Sequence, residues 1–214
     1  MDSYYQLQQW HTAIAIDDSD SMSGDYWNQV KDFIVRICTE EEPDGIDLYF
    51  FKHNSHAVEN ITTGKGMGGY YNIKTTTDVE NIFNHIIPSG GAPTHQCLER
   101  ILGSYTTAYR NDREKLPGLS LDVIIGKAPD SCDKVKQTIC RYAKMLDDLS
   151  APPTQVGILF SQVGKDPKAT EFLRQLDSGL GVDVRDMVDV TKWEDMEDEN
   201  GLQSVLGATK NEDY

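Results

Sequence analysis

Residues 13–24 read AIAIDDSDSMSG and join two segments of opposite character. The first, from Ala13 to Ile16, is a short uninterrupted apolar run, which is typical of a strand buried on both faces of a parallel sheet. The second is a polar loop that begins abruptly at Asp17 and Asp18. A buried strand followed at once by a polar loop predicts a sheet whose functional groups lie at the carboxyl ends of the strands.

The rest of the chain repeats this alternation of apolar runs with segments of helical periodicity. Further strands are predicted at residues 46–51, 121–125, 156–160 and 188–190. Helices are indicated between them by apolar residues three or four positions apart, and a closing helix is predicted around Leu202, Val205 and Leu206. The predicted fold class is therefore α/β, with a doubly wound, mostly parallel central sheet and helices on both faces.

The charge of the chain excludes several classes of partner. There are 35 Asp and Glu residues against 20 Lys and Arg residues, which gives a formal net charge of −15. Nucleic acids and anionic membranes are bound by basic surfaces, so neither is expected as a partner. Nine of the acids and only two of the bases lie in residues 186–214, where we expect a solvated acidic surface.

The sequence also predicts a cellular compartment. Its amino terminus lacks the basic and apolar regions of a secretory signal, and no window approaches the roughly 18 apolar residues of a membrane span. The four cysteines form no CxxC pair, which favours reduced thiols. We therefore expect a cytoplasmic protein.

The polar loop after the first strand carries a candidate metal site. Asp17, Ser19 and Ser21 follow one another with D-x-S-x-S spacing, so that one carboxylate and two hydroxyls can converge on one point. Oxygen ligands of this kind suit Mg²⁺, Ca²⁺ or Mn²⁺. The alternative is that these side chains only cap the helix that follows. The spacing alone leaves both interpretations open.

The segment from Ala15 to Met22 resembles the opening of the von Willebrand factor A domain, whose first strand ends in the D-x-S-x-S metal-ion-dependent adhesion site. The similarity continues in PDGID at 43–47, PSGGAPT at 88–94 and QVGI at 155–158. As a set, these motifs are most similar to stand-alone intracellular domains of this type found in fungi. The resemblance implies a Rossmann-like domain. We place it at residues 10–208, with an extension at 1–9 and an acidic tail at 209–214.

In this family a divalent cation on the upper edge of the sheet is completed by an acidic group of a protein partner, but two positions here depart from the metal-site pattern. The second loop usually reads Gly-Gly-Thr-Pro-Thr, whereas here Ala92 replaces the first threonine and Thr94 keeps the second. The third loop usually reads Ile-Thr-Asp-Gly, whereas here Gly126 and Lys127 stand at the Asp and Gly positions. One lost supporting group costs ~10–100-fold in metal affinity, and two cost on the order of 10²–10⁴-fold. We therefore expect Mg²⁺ to bind weakly or not at all.

Lys127 suggests a replacement for the cation. Its strand is expected beside the first strand, so that its ammonium group reaches Asp17 or Asp18 and balances their charge. The alternative is a lysine that points into solvent.

Together these observations predict a non-catalytic protein–protein interaction module that binds its partner through loops at the carboxyl edge of the sheet, with weakened or absent cation dependence. The predicted metal-site residues are Asp17, Ser19 and Ser21. The predicted binding surface around them consists of Asp18, Asp20, Ala92, Thr94, Gly126 and Lys127.

Two other functions stay open at this point. One is an intact but weak Mg²⁺-dependent adhesion site, which would hold an acidic side chain of a protein partner. The other is a haloacid dehalogenase-like phosphatase that uses Asp18 and Asp20 as its D-x-D loop. Such an enzyme also needs an acidic pair at the end of a later strand, and the acids at Asp130 and Asp133 fall instead in a predicted turn and helix start.

Overall fold

The computed structural model describes residues 10–42, 44–55, 62–63, 68–178, 180–181 and 184–196. The predicted extension at 1–9, the acidic tail at 209–214 and the closing helix around Leu202, Val205 and Leu206 lie outside these residues. The domain limits of 10–208 therefore stay a prediction. Within the described part, every helix is too short or too polar to cross a lipid bilayer.

The described residues form one seven-stranded sheet with the order β3-β4-β2-β1-β5-β6-β7. All pairs from β2 through β1, β5 and β6 to β7 are parallel, and the pairs β2–β4 and β4–β3 are antiparallel. The predicted mostly parallel sheet is confirmed. The strands are β1 (Trp10–Ile16), β2 (Ile46–Phe50), β3 (Thr62–Thr63), β4 (Tyr70–Ile73), β5 (Gly118–Ile125), β6 (Val156–Gln162) and β7 (Val188–Lys192).

Helices cover both faces of this sheet, as the alternating pattern predicts. A 3₁₀ turn precedes the first helix, and a π-helical turn, Ile37–Glu41, extends it. The helices are α1 (Asp25–Arg36), α2 (Thr76–Asn84), α3 (Thr94–Asn111), α4 (Cys132–Asp148), α5 (Pro167–Asp177) and α6 (Trp193–Met196).

The apolar run of β1 contributes to two separate cores. Ala13 and Ala15 face the core that α3, α4 and α5 close, while Ile14 and Ile16 face the core that α1, α2 and α6 close. All four side chains are at most 2% exposed. This burial on both faces explains why β1 is apolar throughout rather than alternating.

The antiparallel edge formed by β3 and β4 was not predicted, since both strands are short and their residues lack a clear alternation. The two tyrosines that begin β4 are not exposed. Tyr70 is fully buried, and its hydroxyl lies 2.9 Å from Nε2 of His53. Tyr71 is half-buried and packs edge-on against Tyr49.

The strand order places a switch point at β1. The chain continues from β1 to β2 on one side, and β5, which pairs with the other side, comes later. Loops that leave β1, β2 and β5 therefore meet at the same carboxyl edge, where ligand sites of open α/β sheets form.

At the opposite end of β1, an ion pair joins three neighbouring strands. His11 Nε2 lies 2.7 Å from Asp47 Oδ2 on β2, and the other oxygen of Asp47 accepts a hydrogen bond of 3.0 Å from the Asn72 N–H on β4. The hydrogen bond and the charge of Asp47 raise the pKa of His11, although burial opposes this. A raised histidine pKa means that the folded state holds the proton more tightly than the unfolded state does.

We expect this pair to make stability depend on pH. The stabilisation is fully present below the unfolded pKa of about 6.5 and is lost as the pH rises through the higher folded pKa. Substitution His11→Gln should therefore cost more free energy of unfolding at about pH 6 than at about pH 8.5. Urea unfolding of both proteins at each pH measures the two costs, and equal costs would contradict the role of the pair.

Candidate functional site

The first of the two carboxylates after β1 ties the end of this strand to β5. Asp17 is fully buried; its Oδ1 accepts a hydrogen bond of 2.8 Å from the Ser19 N–H, and its Oδ2 accepts one of 3.0 Å from the Gly126 N–H. Burial raises the pKa of Asp17, and the hydrogen bonds from Gly126 and Ser19 oppose that rise. Backbone N–H groups thus supply a hydrogen bond to each oxygen of this buried carboxylate.

The second carboxylate, Asp18, ties β1 to β2 on the other side. It is 3% exposed and accepts hydrogen bonds of 3.0 and 2.9 Å from the N–H groups of Lys52 and His53, one at each oxygen. This arrangement does not favour the phosphatase alternative, because a nucleophilic carboxylate must present a free oxygen to its substrate. Both oxygens of Asp18 are engaged away from solvent.

The hydroxyls of the D-x-S-x-S loop lie together. Asp20–Met22 form the 3₁₀ turn, which brings Ser21 back toward Ser19 so that their Oγ atoms are 2.9 Å apart. Ser19 is also hydrogen-bonded to Asp17. The three predicted metal-site side chains therefore share one small region at the carboxyl edge.

Lys127 lies over this loop, but not where the sequence placed it. Its Nζ donates hydrogen bonds of 2.8 Å to Oδ1 of Asp20 and 2.8 Å to the carbonyl oxygen of Gly90. It does not pair with Asp17 or Asp18, because both are buried and engaged by backbone N–H groups, whereas the Asp20 side chain is 68% exposed. The Lys127 ammonium lowers the pKa of Asp20.

A second lysine holds the same Ser89–Gly90 loop from the other side. Lys52, which follows β2, donates from Nζ to the carbonyl oxygen of Ser89 and to its hydroxyl, 3.3 Å away. The Ser89 N–H in turn donates to the carbonyl of Asp18 over 2.9 Å. The lysines that follow β2 and β5 thus both bind one loop beside β1.

Ala92 and Thr94 of the predicted surface are both fully buried. Asp130 accepts a hydrogen bond of 2.8 Å from the Ala92 N–H, and its own N–H donates to the Ala92 carbonyl over 3.0 Å. The Thr94 hydroxyl is also directed at that carbonyl, 3.3 Å away. Neither residue presents a polar atom to a ligand, although both fix the shape of the loop.

Gly126 leaves a space that Met22 fills. A Cβ atom on Gly126 would overlap the Met22 sulfur and lie 2.7 Å from the Ser21 hydroxyl oxygen. Met22 is fully buried. A side chain at this position, where the family carries an aspartate, would therefore require Met22 and Ser21 to move.

These surroundings do not fit a divalent cation. Mg²⁺ requires close to octahedral coordination by hard oxygen ligands. Around Asp17, Ser19 and Ser21 the chain instead places a thioether at Gly126 and a methyl group at Ala92, and an ammonium lies on the neighbouring Asp20. Among the described residues, no group of three or more His, Cys, Asp or Glu side chains could hold a metal ion.

Lys52 and Asp166 lie outside the loops at 17–24, 90–94 and 126–130 that the sequence predicts for this surface, whereas Met22 and Asp130 lie within them but were given no role of their own. Asp166 accepts hydrogen bonds of 2.8 Å from the Ala128 N–H and 3.2 Å from the Lys168 N–H, so it joins the β5 loop to the start of α5. An Asp directly before Pro167 is a recognisable helix-start signal. Its second contact, across to the β5 loop, has no sequence signal.

The packing of Met22 against Gly126 gives a test of this geometry. We expect Gly126→Ala to destabilise the domain by about 1–3 kcal/mol, the usual cost of overpacking. The added cost of Gly126→Ala should be smaller in a Met22→Ala background, because the obstructing sulfur is gone. Urea unfolding of the four proteins measures the coupling, and additive costs would show that Met22 does not fill the space.

The fold is shared with solved structures of low sequence identity. No protein-family model and no curated protein matches the chain. The manganese-loaded TRAP protein of Plasmodium vivax is 16% identical, with a TM-score of 0.52 over 94% of this chain and 73% of its own. Proximal thread matrix protein 1 (PTMP1) from the mussel byssus is 12% identical, with a TM-score of 0.51 over 94% of this chain and 46% of its own.

A further structure of PTMP1, with zinc in its MIDAS motif, is 11% identical, with a TM-score of 0.52 and the same coverage. This chain therefore spans less than half of PTMP1, and identities this low establish the fold alone. The fold is that of the von Willebrand factor A domain, as the resemblance of its first strand and loop predicted.

Proposed function

We propose that the chain is a non-catalytic protein–protein interaction module that binds its partner through the loops at the carboxyl edge of the sheet without a divalent cation. The docking surface would be formed by residues 17–24, 89–94 and 126–130. The observation that carries this proposal is that protein groups occupy the surroundings of the candidate metal site: Met22 fills the space at Gly126, and Lys127 binds Asp20 and Gly90.

The carboxylates at this edge support a preorganised surface. Asp17, Asp18, Asp130 and Asp166 each accept backbone N–H groups from a neighbouring loop. Hydrogen bonds to charged groups contribute about 1.5–3 kcal/mol each, so four such links restrain the loops strongly. A restrained surface loses less conformational entropy when it binds.

The two lysines support the absence of a cation. A metal ion would place positive charge among Asp17, Asp18 and Asp20, and here Lys127 supplies a positive charge beside Asp20. Lys52 adds a second one, and its charge also lowers the pKa of Asp20. The positive charge that a dissociable metal ion supplies in MIDAS sites would thus be supplied here by two lysine side chains.

Lys52 also indicates the chemistry of the partner. In the described structure its ammonium group donates to the two neutral oxygens of Ser89. An ammonium has three donors, so a third is left for an acidic side chain of the partner protein. The net charge of −15 argues against nucleic acids and membranes as partners. A cytoplasmic location stays a prediction.

A photo-crosslinking experiment tests the position of the surface. We expect benzoylphenylalanine at Ser23 or Ser89, which are exposed on these loops, to give an adduct with one partner that persists in EDTA. The same group at Arg110, exposed in the last turn of α3, is the control and should give none. An adduct from Arg110 alone, or one that EDTA abolishes, would contradict the proposal.

With that partner identified, calorimetry tests the role of Lys52. We expect Lys52→Gln to weaken binding about two- to fivefold, the range of an exposed ion pair. Lys168→Gln, an exposed lysine in the first turn of α5, is the matched control and should have no effect. Equal affinities of the wild type and Lys52→Gln for the partner would contradict the proposal that Lys52 binds an acidic side chain of that partner.

A metal titration tests the other half of the proposal. We expect millimolar Mg²⁺ to leave the melting temperature unchanged. The variant Met22→Ala/Ala92→Thr/Gly126→Asp/Lys127→Gly should gain about 1.4 kcal/mol at a Mg²⁺ concentration ten times its Kd. Met22→Ala is needed because an aspartate at 126 has no room beside the sulfur.

Asp17→Asn in the same background is the control for that variant and should abolish the gain. Equal Mg²⁺ affinity of the wild type and the variant would establish a working metal site in the natural sequence and overturn the metal-free proposal.

A further inference from the structure

Asp122 is a carboxyl group buried inside the sheet, on β5 four residues before Gly126. It pairs in register with Ile14 of β1 and Leu159 of β6, two apolar residues of the core that α1 closes. Only 1% of the residue is exposed. A charge in such surroundings is strongly disfavoured unless it is paired.

No described residue satisfies this carboxyl group. Neither Oδ1 nor Oδ2 of Asp122 has a hydrogen-bond partner in the described structure, and the hydroxyl of Ser120, two positions earlier on the same face, has none either. Ser120 is 2% exposed. Buried polar side chains without hydrogen-bond partners are rare, so two of them on one strand require an explanation.

The charged group that acts on Asp122 is another acid. Burial raises the pKa of Asp122 well above its ordinary value, and Glu42 lies close enough for its charge to raise it further. Glu42 is held nearby by a hydrogen bond of 3.2 Å from the Thr12 hydroxyl, and Thr12 is the register partner of Ser120. No cation is among the groups that shift Asp122, whereas Glu42 lies close enough to His11 of β1 for its charge to raise the pKa of that histidine.

Glu42 also ends the segment that follows α1. Its N–H donates to the Ile37 carbonyl over 2.9 Å and closes the π-helical turn Ile37–Glu41. π turns are rare and occur mostly as local irregularities, often at functional positions. Asp122 and Ser120 on β5 therefore lie close to the π-helical turn at the end of α1.

We propose that Asp122, Ser120, Thr12 and Glu42 form a pH-sensitive latch, in which the neutral acid form of Asp122 lets the end of α1 pack on β5 and loss of its proton to solvent releases the turn Ile37–Glu42. When Asp122 loses its proton, Asp122 and Glu42 both carry negative charge and lie close enough to repel each other. Their repulsion and the hydration of Asp122 both favour opening of this turn. The latch is independent of the proposed partner surface.

Carboxyl ¹³C NMR and hydrogen exchange test this proposal on the whole chain. We expect the Asp122 carbon to titrate well above the pH of an exposed aspartate. As the pH rises from about 3.9 toward that pH, amide protection of residues 37–42, corrected for intrinsic exchange, should fall about tenfold per pH unit and then level off. Asp122→Asn should make protection independent of pH, and Asp148→Asn, an exposed acid on α4, should behave as the wild type.

A second variant keeps the test decisive if Asp122→Asn fails to fold. Glu42→Gln removes the like charge and should move the Asp122 titration to lower pH without removing it. An Asp122 carbon that titrates near about 3.9, as a free aspartate does, would overturn the proposal. So would the same pH dependence of exchange in Asp122→Asn and wild type, or an unchanged titration in Glu42→Gln.

Discussion

The two adjacent carboxylates that end β1 set the constraint on which the carboxyl edge depends. Asp17 and Asp18 are buried, and buried charges require partners. Since successive residues point to opposite sides, one carboxylate binds the loop after β5 and the other binds the loop after β2. The charge of two side chains thereby fixes the relative positions of three consecutive strands of the sheet at the edge where a site forms.

The remaining loops are attached to this centre by the same chemistry. Asp130 holds the loop at Ala92, and Asp166 holds the loop at Ala128, each through backbone N–H groups. Gly91 has no room for a side chain, because a Cβ there would lie 2.6 Å from a carboxylate oxygen of Asp130. Part of the negative charge of the chain is thus structural and internal, while the lysines 52 and 127 place positive charge over it.

The fold could be predicted from the sequence because its main signals are local. The run Ala13–Ile16 and the helical spacings that follow are read from neighbouring residues, and the structure agrees with them. The grouping of Asp17, Ser19 and Ser21 is also local, because it arises within one turn. The β3–β4 edge was missed, because two short strands carry too few residues for a period to emerge.

The interactions that decide the chemistry of the edge were harder to predict, since they depend on which side chain fills a space or reaches a loop. Nothing in the spacing shows that Met22 occupies the position beside Gly126. Lys127 was expected at Asp17 or Asp18 because strand order alone brings it near all three acids. The choice of Asp20 follows from burial and from competition with backbone N–H groups, which only coordinates reveal.

The contact between Met22 and Gly126 has an evolutionary consequence. An aspartate arising at position 126 meets the methionine sulfur and is penalised at once, so a single substitution there does not create a metal site. Room for the aspartate requires a smaller residue at position 22, and that step by itself leaves a cavity and gains nothing. Each change is unfavourable without the other, so the two positions are epistatic, and substitutions at them are tolerated better together than singly.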